Sequence, residues 1–319
     1  MDTHNILVLG GTGFVGRNVC DKLVASGGGA PGRLVVPTRF PGRVGDLLSL
    51  PGMEIVRADV HDDAQLRQLV RGRDAVIQLV ATLHGSEADF QRVHVDLPRR
   101  LADACVAAGV RRVVHVSSLG AAEDAPSKYQ RSKARGEAVL RQAPLDLTIL
   151  RPSVIFGEHD RFLNQFASLQ RVFPFMPLAG ADAKFQPVWV EDVAAAVVRS
   201  LFDRASIGQT IECVGPNVYT LRELVRLAGR WSGHERRIVG LPPSLAKLQA
   251  TLLELLPGEP LMSRDNVDSM KVDNVASGRL PDLSRLGITP RSIESVMPPI
   301  LGGRDGIARL DPLRANARR

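Results

Sequence analysis

A glycine-rich turn directly after a short, mostly apolar run is the feature that most limits how this chain can fold. Residues 5–9 (NILVL) end at Gly10, and glycines follow at positions 11, 13 and 16. A buried strand that leads through such a turn into a helix is the phosphate-binding unit of parallel α/β sheets. The pattern predicts a nucleotide-binding turn, and an ordinary strand-to-helix turn is the alternative.

Each glycine of this turn has a physical task. We expect Gly10 or Gly11 to let the chain reverse, Gly13 to bring bare backbone to the pyrophosphate, and Gly16 to let the helix pack on the strand. The phosphates would then lie at the positive end of the helix dipole, among unpaired N–H groups. The cofactor-binding residues predicted here are Gly10, Thr12, Gly13, Phe14, Val15 and Gly16.

The end of the second predicted strand indicates which nucleotide is bound. Residues 33–38 (RLVVPT) are followed by Arg39 and Arg43, and the first acid after the strand is Asp46. NAD sites usually present an acid here for the ribose hydroxyls, whereas NADP sites present Arg to the additional phosphate. We therefore predict NADP(H), with Arg39 and Arg43 at the phosphate. If these arginines only solvate a loop, NAD(H) is the alternative.

Strands and helices alternate through the first half of the chain. Residues 54–58, 75–80 and 112–116 have the composition of buried strands, and residues 62–71 and 94–108 have helical patterns. This alternation is typical of an α/β fold with a doubly wound parallel sheet, the Rossmann arrangement. Ligands bind such sheets at the carboxyl ends of the strands. We therefore expect a second set of residues to line the cofactor there: Asp59, Val60, Leu79, Val80, Ala81 and Ser117. A helix cap is the alternative role for Asp59.

Ser118, Tyr129 and Lys133 are the predicted catalytic residues. Tyr129 and Lys133 are four residues apart and share one face of a helix. An ammonium near a phenol favours the phenolate and lowers the pKa of the tyrosine, so Tyr129 could exchange a proton with a substrate oxygen. Ser118 could hydrogen-bond the same oxygen. Without the glycine turn, a solvated helix face would explain the pair equally well.

Further motifs follow in an order that resembles a known family. The segments 150–157 (LRPSVIFG) and 189–193 (WVEDV), together with the glycine turn and the Ser, Tyr and Lys residues, resemble the extended short-chain dehydrogenases/reductases of the NAD-dependent epimerase/dehydratase group. Three more segments resemble the atypical branch that contains the nucleotide-binding accessory subunit of respiratory complex I and its bacterial relatives. These are 156–164 (FGEHDRFLN), 185–188 (FQPV) and 263–267 (SRDNV).

The resemblance implies roles for individual residues. It places the glycines at the pyrophosphate, Arg39 at the adenosine phosphate, Tyr129 and Lys133 at the nicotinamide ribose, and Pro152 against the nicotinamide. Two departures from the family pattern argue against a sugar-nucleotide substrate. Only ten residues separate Ser118 from Tyr129, and Ser153 stands where the epimerases commonly have Asn.

Three functions therefore remain open. The first is an NADP(H)-dependent oxidoreductase that acts on a small or hydrophobic, quinone-related substrate, with Tyr129 as proton donor or acceptor. The second is a non-catalytic NADPH-binding assembly or sensor subunit linked to complex I or quinone biosynthesis. The third is an epimerase or dehydratase with bound NAD.

Composition bounds the partners of the chain. With 319 residues, 44% of them hydrophobic, it can bury a large core. A net charge of +7 alone would admit nucleic acid, but only 4% of residues are aromatic and no recognition motif is present. We expect a small-molecule substrate, no nucleic acid and no bound metal. Cys20, Cys105 and Cys213 are scattered, as is typical of reduced packing residues in a cytoplasmic protein.

The second half of the chain is predicted to form a smaller, mainly helical lobe. Segments 217–232, 243–256 and 263–276 have helical patterns. The predicted domains are a dinucleotide-binding domain over 1–155 with contributions from about 185–215, an interleaved substrate lobe over 156–302, and a basic disordered tail over 303–319.

Neither a signal peptide nor a membrane span is expected. The leucine-rich segment 244–256 is predicted to be a core or lid helix. Its alternative roles are a wall for a lipid-like substrate or a site of peripheral association with a membrane or respiratory complex.

Overall fold

The computed structural model describes residues 5–26, 33–45, 47, 50–255, 260 and 262–302. The chain divides into two compact units. The first comprises Met1–Pro152, Val190–Cys213 and Ala276–Thr289, and the second comprises Ser153–Trp189, Val214–Val275 and Pro290–Arg319. The predicted tail over 303–319 lies outside the described residues.

A seven-stranded parallel sheet forms the centre of the first unit. Its strands are β1 (Ile6–Leu9), β2 (Leu34–Thr38), β3 (Met53–Arg57), β4 (Ala75–Gln78), β5 (Arg112–Val116), β6 (Asp146–Pro152) and β11 (Thr210–Cys213). The spatial order is β11-β6-β5-β4-β1-β2-β3, so the chain reverses direction across the sheet between β1 and β4. This order confirms the predicted doubly wound α/β fold and places a ligand-binding crevice at the carboxyl ends of β1 and β4.

Helices cover both faces of this sheet. They are α1 (Phe14–Ser26), α2 (Asp63–Val70), α3 (Glu87–Gln91), α4 (Leu97–Ala108), α5 (Lys128–Gln142) and α7 (Val190–Phe202). On one face α1 packs against α7. On the other face Leu66 of α2, Leu101 of α4 and Leu140 of α5 are buried in one core with Leu7 and Val113 of the sheet. Each face is thus shielded from water, which explains the continuous apolar runs in the strands.

The predicted helix over 94–108 belongs to a longer and interrupted helical segment. It starts at α3, where Ser86 forms a capping box with Asp89, and a π-helical turn over Arg92–Asp96 connects α3 with α4. Pro98 lies in the first turn of α4. Because proline has no N–H to donate to the carbonyl of His94, the regular hydrogen-bond ladder is interrupted at this point.

The second unit is built from shorter elements. Its strands are β7 (Ile155–Phe156), β8 (Phe175–Leu178), β9 (Lys184–Phe185), β10 (Val188–Trp189), β12 (Tyr219–Thr220) and β13 (Arg237–Gly240). Its helices are α6 (Leu163–Val172), α8 (Leu221–Trp231), α9 (Pro243–Glu254), α10 (Arg264–Ser269) and α11 (Ile293–Leu301). Phe156, Leu163, Leu224 and Met297 share one core in this unit.

Two predicted helices of this unit are shorter than expected. The segment 217–232 starts as strand β12, and the helix begins only at Leu221 because Thr220 and Glu223 form a capping box. The segment 263–276 leaves the helix after Ser269, since Asn274 instead pairs with the backbone of Lys184 and Gln186 beside β9. The first helix is therefore shortened by a local cap, and the second by a contact distant in sequence.

The three cysteines lie buried in the core without a disulfide, as packing residues do. Burial raises the pKa of the Cys20 and Cys105 thiols to about 12. Within the part of the chain that is described, no helix is both long and apolar enough to span a membrane.

Candidate nucleotide and catalytic site

The glycine turn lies between the end of β1 and the start of α1. Of the two glycines predicted to reverse the chain, Gly10 does so, with a φ of +82° that side-chain-bearing residues rarely adopt. A Cβ at Gly10 would also lie 3.1 Å from the backbone of Leu79 and Val80. At Gly16 a Cβ would lie 2.2 Å from the carbonyl oxygen of Gly10. The helix therefore packs on the strand at Gly16, as predicted, and the turn is held against the loop after β4.

The first turn of α1 carries a cation that the sequence analysis did not single out. The Arg17 Nε donates to the carbonyl oxygen of Thr12 at 3.2 Å. Its Nη1 lies 3.8 Å from the position that a Cβ on Gly45 would occupy. Arg17 thus connects the glycine turn with the loop after β2. The sequence signal that could have identified Arg17 is its position directly after Gly16.

Arg39 follows β2 as predicted and is exposed to solvent. Its guanidinium lies 5.6 Å from the centre of the Phe40 ring. No carboxylate of the described residues lies within 4 Å of it. Burial lowers the pKa of His61, the Asp59 carboxylate counteracts this, and the charges of Arg100, Arg92 and Arg39 lower it further. The side chain of Arg43 and the residue Asp46 lie outside the described structure.

The loop after β3 settles the alternative role of Asp59. The helix cap of α2 is Asp62, whose carboxylate accepts from the N–H of Gln65. Asp59 Oδ1 instead accepts from the N–H of His61 at 3.0 Å and closes a local turn. Asp59 is therefore not the cap. It and Val60 lie partly exposed at the carboxyl end of β3.

A continuous set of contacts leads from the loop after β4 to Tyr129. Thr82, which follows the predicted cofactor residues Leu79, Val80 and Ala81, donates its N–H to Nε2 of His94 at 3.1 Å. His94 Nδ1 lies 2.8 Å from Oγ of Ser132, and that hydroxyl donates to the carbonyl oxygen of Tyr129. Because Nε2 accepts the hydrogen bond from Thr82, the proton of the neutral imidazole is on Nδ1, which donates to the Ser132 hydroxyl.

Tyr129 is held in a small aromatic cluster. Its ring lies 5.4 Å from the His94 ring, edge to face, and 6.1 Å from the Phe90 ring. Burial raises the pKa of Tyr129 to about 12. The Ser118 hydroxyl opposes this rise, although its Oγ has no partner with full hydrogen-bond geometry in the described structure. The expected lowering of the tyrosine pKa is therefore wrong, because burial outweighs the stabilisation of the phenolate.

Lys133 holds its ammonium group at the end of β5. The Nζ donates to the carbonyl oxygen of Val116, the last residue of β5, at 2.9 Å. Burial lowers the pKa of Lys133 to about 8, and the carboxylate of Glu137 counteracts this. Glu137 in turn accepts two hydrogen bonds from Arg151, at 2.8 Å and 2.7 Å. This buried pair fixes α5 against β6, so Glu137 and Arg151 are positioning residues that the sequence analysis missed.

The residues at the carboxyl ends of β1, β4 and β5 fit a dinucleotide. The backbone at Gly13 is exposed next to the start of α1, where an anion is stabilised. The Ser117 hydroxyl is buried without a hydrogen-bond partner in the described structure, and the Ser118 hydroxyl is buried within reach of Tyr129. Pro152 ends β6 beside them, where it accepts from the N–H of Leu119. The side chains that would hold a cofactor are thus present, and no group of three or more metal-ligating side chains occurs among the described residues.

Two buried histidines make stability depend on pH. Burial lowers the pKa of His94 to about 3 and that of His115 well below its ordinary value of 6.5. Below pH 6.5 the unfolded chain therefore binds protons that the folded protein does not. Each histidine is expected to remove about 2 kcal/mol of unfolding free energy between pH 7 and pH 5.

Urea unfolding of His94→Gln and His115→Gln at pH 7 and pH 5 measures this effect. Each variant should lose about 2 kcal/mol less than the wild type over this range. His159→Gln serves as control, because His159 is exposed. An unchanged pH dependence in both buried-site variants would contradict the assignment.

A Rossmann sheet with a glycine turn at its first strand and a Ser–Tyr–Lys set at its carboxyl edge defines an NAD(P)-binding protein of the short-chain dehydrogenase/reductase type. The NAD(P)H-binding family matches residues 10–204. The chain belongs to this family, and within it to the branch that contains the complex I accessory subunit. The resemblance inferred from the sequence motifs is confirmed.

Individual relatives show how far the similarity extends. The chain is 35% identical over 297 residues to the mouse mitochondrial NADH dehydrogenase [ubiquinone] 1 alpha subcomplex subunit 9, covering 90% of this chain and 77% of the relative. It is 30% identical to the ceramide reductase of Caulobacter vibrioides, covering 74% and 73%. The Escherichia coli NADPH-dependent quinone oxidoreductase QOR2, solved with NADPH, superposes with a TM-score of 0.72 at 20% identity, covering 91% and 97%. That last similarity shows the fold alone.

Proposed function

We propose that this chain is an NADP(H)-dependent oxidoreductase that acts on a small or hydrophobic, quinone-related substrate. The observation that carries the proposal is the contact path described above. This path runs from the glycine turn through the loop after β4 and His94 to Tyr129. One edge of the sheet would therefore hold both a phosphate-binding turn and a proton donor. The ceramide reductase and the quinone oxidoreductase, by their names, act on hydrophobic substrates.

The cofactor-binding residues follow from the predicted set. The turn from Gly10 to Gly16 would hold the pyrophosphate, and Arg39 with Arg17 would hold the additional phosphate. Asp59, Val60 and the residues from Leu79 to Ala81 would line the adenosine and ribose. The nicotinamide supplies a hydride when it is bound. Residues 1–155 with about 185–215 would form the dinucleotide-binding domain, and residues 156–302 the substrate lobe.

The proton chemistry falls to three side chains. With a pKa of about 12, Tyr129 stays protonated at neutral pH and can donate to a substrate oxygen as negative charge develops there. The buried Ser118 hydroxyl can hydrogen-bond the same oxygen. Lys133, with a pKa near 8, is mainly charged at neutral pH, and its ammonium has donors to offer the ribose besides the one bound to Val116.

A second function is favoured by a separate observation. The similarity to the complex I subunit covers 90% of the chain, which supports a non-catalytic NADPH-binding subunit associated with a respiratory complex. The two functions differ in the fate of the nucleotide. A structural subunit would retain NADPH through purification and leave it unoxidised, whereas an enzyme would exchange it and oxidise it with substrate.

The test of the cofactor is a binding comparison between wild type and Arg39→Ala. Nucleotide released from denatured protein is identified by mass spectrometry, and NADPH and NADH affinities are then measured. Loss of a charge-assisted contact to the phosphate should weaken NADPH about 10-fold to 100-fold and leave NADH unchanged. The control is Arg71→Ala, another exposed arginine of the same unit. Equal affinities for both nucleotides in wild type, or tightly held NAD, would contradict the assignment to NADP(H).

A further inference from the structure

A surface helix of a soluble protein is expected to bury its large apolar side chains. Helix α9 instead buries small side chains and exposes large apolar ones. Its buried residues are Ala246 and Ala250, at 2% and 0% exposure. The opposite face carries three leucines of the helix and the residue that caps it, Leu245, Leu248, Leu252 and Leu255, which are 49%, 55%, 57% and 76% exposed, whereas Leu253 is half-buried. At 3.6 residues per turn these four positions fall within an arc of about 80°. We call them the leucine face.

Elements near α9 expose further hydrophobic side chains. The side chain of Gln249 donates to the carbonyl oxygen of Pro177, which places α9 beside β8. On β8 and its partner β13, Phe175 and Val239 are 55% and 43% exposed. Just before β8, Phe173 is 51% exposed. Exposed hydrophobic side chains are normal when scattered, but a set gathered on neighbouring elements marks an interaction surface.

The charges around this surface identify its occupant. Arg171, Arg237 and Lys247 are exposed there, and none of them has a carboxylate within 4 Å in the described part of the chain. The nearby acids Glu254 and Glu235 are already paired with other arginines. An apolar stripe flanked by unpaired cations complements an anionic lipid surface. A symmetric contact with a second copy would instead bring these cations together.

We propose that the leucine face binds the surface of an anionic membrane, with α9 lying in the plane of the interface. The four leucines would enter the boundary between headgroups and acyl chains, and the three cations would contact lipid phosphates. This inference stands independently of the proposed redox activity. It gives the hydrophobic segment 244–256 a defined role, that of a membrane-docking element.

Flotation with lipid vesicles tests the proposal on the full-length protein. Phosphatidylcholine vesicles are compared with vesicles that contain phosphatidylglycerol. Binding is expected only with the anionic vesicles, and raising the salt concentration should weaken it. The double variant Leu248→Glu/Leu252→Glu should weaken vesicle binding at least about 10-fold, because two leucines that would enter the membrane are replaced by charges that anionic lipid repels. Arg237→Gln and Lys247→Gln should each weaken it about fivefold.

A second double variant controls for charge and for the loss of surface leucines. Val106→Glu/Phe202→Glu also replaces two half-exposed hydrophobic residues by glutamate, but on α4 and α7 of the first unit. It should bind vesicles nearly as well as the wild type, apart from the general effect of its charge. Equal losses in the two double variants would overturn the proposal. A wild type that does not bind vesicles would also overturn it. In that case, a dimer in size-exclusion chromatography that Leu248→Glu/Leu252→Glu dissociates would show that the leucine face binds a second copy of the chain.

Discussion

Gly16→Ala is expected to lose nucleotide binding and to destabilise the fold. A Cβ at this position would lie 2.2 Å from the carbonyl oxygen of Gly10 and 2.5 Å from Cα of Gly11. Both are backbone atoms, so the clash cannot be relieved by turning a side chain. The turn must move away from the helix, and it is the N–H groups of this turn that would bind the phosphates. We expect NADPH affinity to fall at least about 100-fold and the unfolding free energy to fall by about 1–3 kcal/mol.

Calorimetric titration with NADPH and urea unfolding measure the two effects separately. Gly42→Ala is the matched control for stability, because a Cβ at Gly42 meets no atom within 4 Å and its φ lies outside the left-handed region. It should unfold at nearly the same urea concentration as the wild type. If folded Gly16→Ala bound NADPH as tightly as the wild type, the glycine turn would not be the phosphate site.

Buried parallel strands were predictable from the sequence. The expected strand over 112–116 matches β5 residue for residue, because a buried parallel strand is a continuous apolar run whose ends are marked by turns. The π-helical turn before α4 was not predictable, since it depends on how the hydrogen-bond ladder closes around Pro98. The helix predicted over 263–276 was too long for a related reason. Asn274 meets β9 some 90 residues back in the chain, and no local pattern records that pairing.

The same division applies to the candidate site. The sequence pattern identifies four residues of the site, Gly10, Gly16, Ser118 and Tyr129. Their motifs have characteristic spacings, because phosphate binding and proton transfer require these residue types at set positions. His94 did not stand out, although it joins the loop after β4 to the helix that carries Tyr129. Its partner Ser132 lies 38 residues away, so only the fold brings the two together. The direction of the Tyr129 pKa shift also required the structure, since burial is not readable from a motif.

One of the branch-specific motifs has an architectural explanation. In the segment 156–164 the carboxylate of Asp160 accepts from the backbone N–H groups of Gly157, Phe162 and Asn164. The side chain of Asn164 donates back to the carbonyl oxygen of Gly157 at 3.1 Å. These bonds close the loop on itself and start α6. In this chain the motif therefore has a structural role, that of fixing the backbone at the start of α6.

Tyr129→Phe is expected to lower turnover of a carbonyl or quinone substrate by about 100-fold to 10,000-fold, the usual contribution of a positioned proton donor. The change removes one oxygen and leaves the ring that packs against Phe90 and His94. NADPH affinity should change much less than turnover, because the glycine turn and Arg39 are untouched. The measurement is NADPH oxidation with a panel of quinones and carbonyl compounds, together with a direct NADPH titration.

The chain offers a close control, because it contains only one other tyrosine, Tyr219. Tyr219→Phe also removes a phenolic hydroxyl, one that donates to Glu294 at 2.6 Å in the second unit. It should cost some stability but leave turnover near that of the wild type. Equal turnover in Tyr129→Phe and Tyr219→Phe would exclude Tyr129 as the proton donor. A wild type that binds NADPH but oxidises none of it with any compound of the panel would favour the assembly function, because there the Ser–Tyr–Lys set would hold the nucleotide without turning it over.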